Sequence, residues 1–405
     1  MNAYEKVKYY HQEQLLKYES ELSEAQKASL HAQIEALDFD VISNIESRKN
    51  PAKRGKITPL KSLELDDINA HRAEYEAAGL EAIREGKVGA VLLAGGMGTR
   101  LGSNDPKGMF NVGVNRELYI FECLINNLME VVDRAGTYIH FFVMTSDLNH
   151  EATVDFFEKK KYFGYPREYV TFFCQEMAPC CDYDGKVMLE RKDKVSVSPN
   201  GNGGWFLSMM RTGALKIAKE AGIEWLNVFS VDNVLQRIAD PVFVGATILE
   251  GRSVGSKVVR KNTRDEKVGV MCLEDGHPSI VEYYDLTDEL MDQTDERGER
   301  VYNFGVILNY LFKVEELEEI VNRSLPYHVV EKKIPYLDEN GVEIKPESPN
   351  GCKFEQLVLD MIYLAESCLP FEVVREHEFA PVKNRTGVDS VETARKLLVK
   401  NGVEI

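Results

Sequence analysis

The chain has 405 residues, a formal net charge of −17 at pH 7 and 44% hydrophobic residues. That apolar content fills a sizeable core, while the acidic balance opposes a broad electrostatic footprint for nucleic acid or an anionic membrane. No apolar run approaches a membrane span, and the opening MNAYEKVKYYHQEQ lacks the apolar stretch of a signal peptide, so a cytoplasmic protein is expected.

The first fifty residues read as helices. Leu15, Tyr18, Leu22 and Ala25 fall on helical spacing. Ser23 followed by Gln26 has the form of a capping box, which starts a second helix near Glu24 with Leu30, Ile34 and Leu37 on its apolar side. The polar stretch 50–70 reads as a connector, followed by a helix from Ile68 to Arg84 with Gly86 as its stop. Val88 to Ala94 is then a near-continuous apolar run, the pattern of a parallel strand buried on both faces. Similar runs lie at Ile139 to Thr145, Val170 to Cys174 and Trp225 to Val231, with helical segments at 118–134, 149–160 and 204–220 between them. Alternation of this kind predicts βαβ units and a mainly parallel sheet. Beyond residue 250, VGSKVVR, VGVMCLE and PSIVEYYDL follow in quick succession, the last two joined by Asp275-Gly276, and predict antiparallel additions. Residues 335–353 read as a loop, Phe354 to Glu366 as a helix, and ETARKLLVKNG as a short final helix.

The seven cysteines form no CxxC pair, so neither a zinc site nor a disulfide framework is suggested. Adjacent Cys180 and Cys181 are read as ordinary reduced thiols. The most informative segment is LLAGGMGTRLGSNDPKG, from Leu92 to Gly108. A buried strand runs directly into Gly95, Gly96 and Gly98, at the strand end where open α/β sheets bind ligands. Glycines permit close backbone approach, and successive N–H groups make a nest for phosphates. The P-loop is excluded, because Lys107 follows Pro106 and precedes Gly108. The dinucleotide fingerprint is excluded too, because Leu101 stands where its third glycine is needed. Arg100 and Lys107 add two cations suited to a triphosphate, which a plain glycine turn does not require.

GGMGTRLGSNDPKG resembles the signature of the UDP-sugar pyrophosphorylases, in particular the eukaryotic-type UDP-N-acetylglucosamine (UDP-N-acetylhexosamine) pyrophosphorylases. Further blocks match in order: Gly185-Lys186 with SPNGNGG at 198–204, VFSVDN at 228–233, VGV at 268–270 with VEY at 281–283, LPYH at 325–328, KKIPY at 332–336, KPESPNG at 345–351 and FAPVKN at 379–384. The resemblance implies an α/β fold: a Rossmann-like nucleotidyltransferase domain with a mixed, mostly parallel sheet, an N-terminal helical extension and a short C-terminal part. On it the chain divides into an N-terminal helical region (1–70), a central nucleotidyltransferase domain (71–345) and a C-terminal part (346–405).

The implied reaction joins two anions. An oxygen of a sugar 1-phosphate attacks the α-phosphorus of UTP, and pyrophosphate leaves in line; positioning and charge neutralisation dominate. Arg100 is expected on the β- and γ-phosphates, with Lys107 and Lys383 near the α-phosphate. Asp232, at the end of an apolar strand, is the expected ligand of Mg²⁺ bridging phosphate oxygens, and Asn233 is a second candidate. Backbone groups of Leu93, Ala94 and Gly95 can pair with uracil, while Gly96, Gly98 and Thr99 complete the nucleotide loop. Gln175 matches the family's uracil-binding glutamine, whose amide both donates and accepts. Gly201 gives close approach to the uridine, and Asn202, Glu282 and Asn303 are the expected sugar ligands.

The sugar pocket departs from the family pattern. Asn303-Phe304-Gly305-Val306 replaces an Asn-Ala-Gly-Asn stretch, and Leu357 and Leu359 stand where relatives carry aromatics. Asn303 and Asn309 are considered as substitutes for the missing amide. The expected partners are therefore UTP, a sugar 1-phosphate and the UDP-sugar, without nucleic acid or membrane. N-acetylglucosamine is the leading sugar, with glucose or broad specificity as the alternative. A non-catalytic nucleotide-sugar-binding protein is the alternative of another class.

Overall fold

The apolar runs become the buried strands of one sheet. In the computed structural model, which describes residues 1–48, 54–323 and 325–405, the chain divides into two compact units. The smaller comprises Met1–Lys53, Glu176–Gly204 and Leu325–Val358; the larger comprises Arg54–Gln175, Trp205–Ser324 and Leu359–Ile405.

In the larger unit, ten strands among the described residues share one sheet. They are β1 (Ile57–Thr58), β2 (Val88–Leu93), β3 (Phe141–Thr145), β4 (Val170–Cys174), β5 (Trp225–Ser230), β6 (Val254–Arg260), β7 (Val270–Glu274), β8 (His277–Val281), β9 (Phe304–Lys313) and β10 (Cys368–Glu372). The order β5-β2-β3-β4 is parallel, with Leu93 opposite Ser230 and Met144, and Thr145 opposite Cys174. All six residues of β2 are buried, which is why that run carries no polar alternation. β9 adds antiparallel to β5, and the predicted β7–β8 hairpin turns at Asp275-Gly276, both with positive φ. β6 pairs antiparallel with β9 but parallel with β10 from the C-terminal segment; only tertiary contact specifies that second pairing.

The predicted helices form at Leu65–Arg84, Ile120–Ala135, His150–Lys159 and Val391–Lys400. The 204–220 segment differs: it holds two helices, Trp205–Arg211 and Ala214–Glu220. Gly213 between them takes φ 84, a left-handed conformation that interrupts the helix. Leu65–Arg84 packs against Pro241–Leu249, where a Cβ on Gly79 would run into the Pro241 carbonyl and one on Gly245 into the Tyr75 carbonyl. The connector reading at 50–70 falls partly on 49–53, outside the described residues; Ile57–Thr58 within it is an edge strand on β7.

In the smaller unit the capping box forms as predicted, with Ser23 and Gln26 bonded reciprocally ahead of helix Glu24–Ala36. The Leu15-to-Ala25 periodicity does not make a continuous helix. It breaks into single 3-10 turns at Glu13–Leu16 and Glu19–Glu21, because Leu22 is extended and Ser23 restarts the chain as an N-cap. Leu15, Leu30, Ile34 and Leu37 pack with Val187, Leu189 and Val195. The 335–353 loop contains a small hairpin, Tyr336–Leu337 against Glu343–Ile344. Phe354 lies buried in strand Gly351–Glu355, so the helix predicted from Phe354 spans only Val358–Leu364. No described helix is long and apolar enough to cross a membrane.

Candidate active site

Four parallel strands end on one edge of the larger unit's sheet, and the loops that follow them carry most of the predicted residues. Leu93 and Ala94 are buried at the end of β2. The glycine loop then folds back on itself: Gly98 N donates to the Asp105 carbonyl and Lys107 N to the Gly96 carbonyl, pairing Met97 with Pro106. Thr99 and Arg100 sit exposed on a single 3-10 turn. This closure returns Lys107 to the strand ends, where its Nζ lies 2.6 Å from Asp232 Oδ1.

Gln175 follows β4, and its backbone N donates to the Thr145 carbonyl. Its buried side chain lies against Gly95, where a Cβ would come within 2.5 Å of Nε2. Glycine at 95 is thus required by a close approach, and the residue matched to uracil recognition stands beside the loop matched to phosphate binding.

Two residues that the sequence did not single out hold this loop. Asn149 Nδ2 donates to the carbonyls of Ala94 (2.9 Å) and Gly96 (3.3 Å), and Ser146 Oγ donates to that of Gly95 (3.0 Å). Asn149 Oδ1 in turn accepts from Ser146 N. Three consecutive carbonyls are therefore taken up by one turn after β3. The available signal was a polar SDLN turn directly after a strand that neighbours β2.

Asp232 and Lys383 are brought together through their backbones, since Val382 N donates to the Asp232 carbonyl at 2.8 Å. The Lys383 ammonium rests 3.3 Å from Asp389 Oδ2. Asn233 does not offer itself to a metal: its Nδ2 donates to the Glu378 carbonyl and its Oδ1 accepts from Ala380 and Leu235. Its role is to tie the strand-end loop to the segment leading into Lys383.

Glu282 follows β8, and its Oε1 would lie 3.5 Å from a Cβ on Gly269. Burial raises its carboxyl above the ordinary glutamate value, with Arg54 and Lys383 charges working against that rise. Asn303 precedes β9 and is buried; its backbone carbonyl accepts from Lys261 N, while its Oδ1 meets no protein donor among the described residues. Val306 N donates to the Gly269 carbonyl, which places that substitution beside the Glu282 region. Asn309 is no substitute sugar ligand. Its amide is buried in the sheet, accepting from Asn227 Nδ2 and donating to the Arg237 carbonyl.

Gly201 and Asn202 belong to the smaller unit. Gly201 has φ 88, and a Cβ there would strike the Gln356 carbonyl, so both conformation and space require glycine. Asn202 Oδ1 accepts from Val358 N. Cys180 is buried, and burial raises its thiol above the ordinary value, the behaviour of an unreactive cysteine.

Comparison with known proteins identifies the family. The family model for UTP–glucose-1-phosphate uridylyltransferase matches residues 38–398. The chain is 35% identical to UDP-N-acetylhexosamine pyrophosphorylase-like protein 1 of Mus musculus, over 96% of this chain and 82% of that protein. It is 36% identical to UDP-N-acetylglucosamine pyrophosphorylase of Saccharomyces cerevisiae, over 81% of this chain and 72% of that one. The solved structure of the Trypanosoma brucei uridine diphosphate N-acetylglucosamine pyrophosphorylase superposes with a TM-score of 0.84 at 28% identity, covering 98% of this chain and 83% of that one. With the signature blocks, the strand-end loops and these matches in agreement, the chain belongs to the UTP–glucose-1-phosphate uridylyltransferase family of UDP-sugar pyrophosphorylases.

Proposed function

We propose that this protein is a nucleotidyltransferase that forms UDP-N-acetylglucosamine and pyrophosphate from UTP and N-acetylglucosamine 1-phosphate. The observation that carries the reading is the meeting of the glycine loop, Gln175 and the Lys107–Asp232 pair at one sheet edge. It occurs in a chain similar over most of its length to proteins named for that activity.

In the proposed mechanism, uracil lies against Gln175 and the Leu93–Gly95 backbone. The loop amides of Gly96 and Thr99 face the phosphates, while Gly98, whose N–H is bonded to the Asp105 carbonyl, holds the loop in its closed form, and Arg100 holds the β- and γ-phosphates that depart. A phosphate oxygen of the sugar 1-phosphate forms a bond to the α-phosphorus as the bond to the β-phosphate bridging oxygen breaks. The electron pair leaves with pyrophosphate, and no covalent enzyme intermediate forms. Lys107 and Lys383 offset charge at the α-phosphate. Glu282 and Asn303 accept from sugar hydroxyl or amide groups, and the unpartnered Asn303 Oδ1 is a buried acceptor in want of a donor.

Asp232 is the residue that would hold a magnesium ion, through Oδ2, since Oδ1 is paired with Lys107. Mg²⁺ is commonly bound by one or two carboxylates plus substrate phosphates, and Asp232 presents a single, one-third exposed carboxylate beside the phosphate loop. When bound, the ion would neutralise triphosphate charge that Lys107 and Arg100 share.

The test is pyrophosphate release with UTP over a panel of sugar 1-phosphates. Highest kcat/KM with N-acetylglucosamine 1-phosphate is expected. No release with any member refutes the reaction, and preference for glucose 1-phosphate refutes the sugar. Tight UDP-sugar binding without turnover would establish the binding-protein alternative.

A further inference from the structure

Below the Asp232 and Lys383 segments lies a buried charge cluster that the proposed chemistry does not use. Lys257, on β6, has a side chain with no exposure. Its Nζ lies 2.6 Å from Glu378 Oε2, 3.1 Å from Asp240 Oδ2 and 3.2 Å from the Arg237 carbonyl. The Phe243 ring stands 5.4 Å from the same ammonium. Each partner belongs to a segment that reaches the candidate site. Arg237 and Asp240 end the loop that begins, after β5, with Asp232. Glu378 immediately precedes Phe379 to Lys383.

Hydrogen bonds join the two segments between these points. Asn233 Nδ2 donates to the Glu378 carbonyl at 2.7 Å, and Ala380 N to Asn233 Oδ1 at 2.8 Å. Val382 N closes the ladder on the Asp232 carbonyl at 2.8 Å. One ammonium therefore clamps the lower ends of a ladder whose upper ends carry Asp232 and Lys383.

Stability does not explain such a cluster. Replacing a buried ion triad with apolar residues of similar volume is often neutral or stabilising, whereas removing one member strands the others. A clamp has a different use, because a displacement of about 1 Å at a reacting group costs on the order of 100-fold in rate.

We propose that Lys257 is a positioning residue for uridylyl transfer, fixing the Asp232 loop and the Lys383 segment at one separation through Asp240 and Glu378. The proposal rests on the roles given above to Asp232 and Lys383. Lys257 touches neither substrate nor metal and acts through the two carboxylates.

The test compares Glu378→Ala, Glu378→Gln and Lys257→Met in the full-length protein. Kinetics and thermal melting are measured, with amide hydrogen exchange across residues 379–384. Glu378→Gln keeps an acceptor for the ammonium, whereas Glu378→Ala leaves Lys257 only the Asp240 loop, through Asp240 Oδ2 and the Arg237 carbonyl, and nothing on the Lys383 segment. Glu378→Ala and Lys257→Met are expected to lower kcat about 10- to 100-fold and to speed exchange across 379–384. KM for UTP is expected to stay within about twofold, because Gln175 and Gly95 are untouched. Glu378→Gln is expected to retain kcat within about threefold and wild-type exchange. Should Lys257→Met fail to fold, the Glu378 pair decides. An active wild type whose Glu378→Ala variant keeps its kcat overturns the positioning role alone. Equal loss in the Gln and Ala variants overturns it too. A wild type that releases no pyrophosphate overturns the reaction and this role with it.

Discussion

Replacing Lys107 with alanine removes an ammonium that lies 2.6 Å from Asp232 Oδ1, with the lysine side chain 12% and the aspartate 33% exposed. Solvent reaches the pair and screens it, so its contribution to stability is about 1 kcal/mol or less. In a chain of this length such a loss moves Tm by about 2 °C or less. The effect on turnover follows a different rule. If the ammonium also faces the α-phosphate, it stabilises charge that grows as pyrophosphate leaves. Removing one preorganised contact of that kind lowers kcat about 100- to 1,000-fold, equivalent to about 3–4 kcal/mol of barrier. The two readouts should therefore separate widely. The assay is pyrophosphate release in a buffer containing Mg²⁺ at saturating UTP and N-acetylglucosamine 1-phosphate, on protein whose melting curve has been recorded. Lys107→Arg, which keeps the charge but displaces it, should fall between wild type and alanine. A folded Lys107→Ala variant with kcat within about threefold of wild type refutes the assigned role. A large fall in Tm with kcat intact would make the pair structural instead.

Asp232→Asn should raise the Mg²⁺ concentration needed for half-maximal activity by about tenfold or more, since a neutral amide is a weaker ligand for a hard cation; a superimposable Mg²⁺ titration would dismiss the metal assignment. Gly95→Ala places a Cβ within 2.5 Å of Gln175 Nε2 and should raise KM for UTP about tenfold by displacing that amide, a loss on the order of one hydrogen bond; unchanged UTP affinity would separate Gln175 from uracil recognition. Gly79→Ala drives a methyl into the Pro241 carbonyl at a helix–helix contact and should cost about 1–3 kcal/mol of stability by overpacking, read as a lower denaturant midpoint; an unaltered midpoint would show that the two helices can separate without cost.

The parallel half of the sheet was legible because its inner strands, β2, β3 and β5, are buried on both faces: VGAVLL leaves no polar residue to obscure the run. The capping box at Ser23 was legible because its partners are three residues apart. Features that join distant positions were not. Lys107 and Asp232 lie 125 residues apart, and only the resemblance placed them in one site. Lys257, 121 residues from Glu378, sits in an apolar strand where nothing local indicates a partner. Asn309 read as a spare polar group near a sugar pocket, but its fixed place in β9 turns its amide to Asn227. Gly213 split a helix that periodicity alone had joined, since spacing reports which face is apolar and says nothing of φ.

The interleaving of the two units bears on synthesis. The smaller unit begins with Met1–Lys53 and is completed only by Leu325–Val358. Val41 of the first segment shares a cluster with Cys352 and Phe354 of the last. At about 5–20 residues per second, the ribosome needs about 15–60 s to deliver the missing piece. Throughout that interval the N-terminal helices carry an apolar face whose final neighbours do not yet exist, although Val187, Leu189 and Val195 arrive midway. The larger unit waits longer still, because β10 closes against β6 only near the end of translation. Nascent chains of this protein should therefore engage chaperones late into elongation, and truncation anywhere before residue 372 leaves both units, or the larger alone, without a constituent strand.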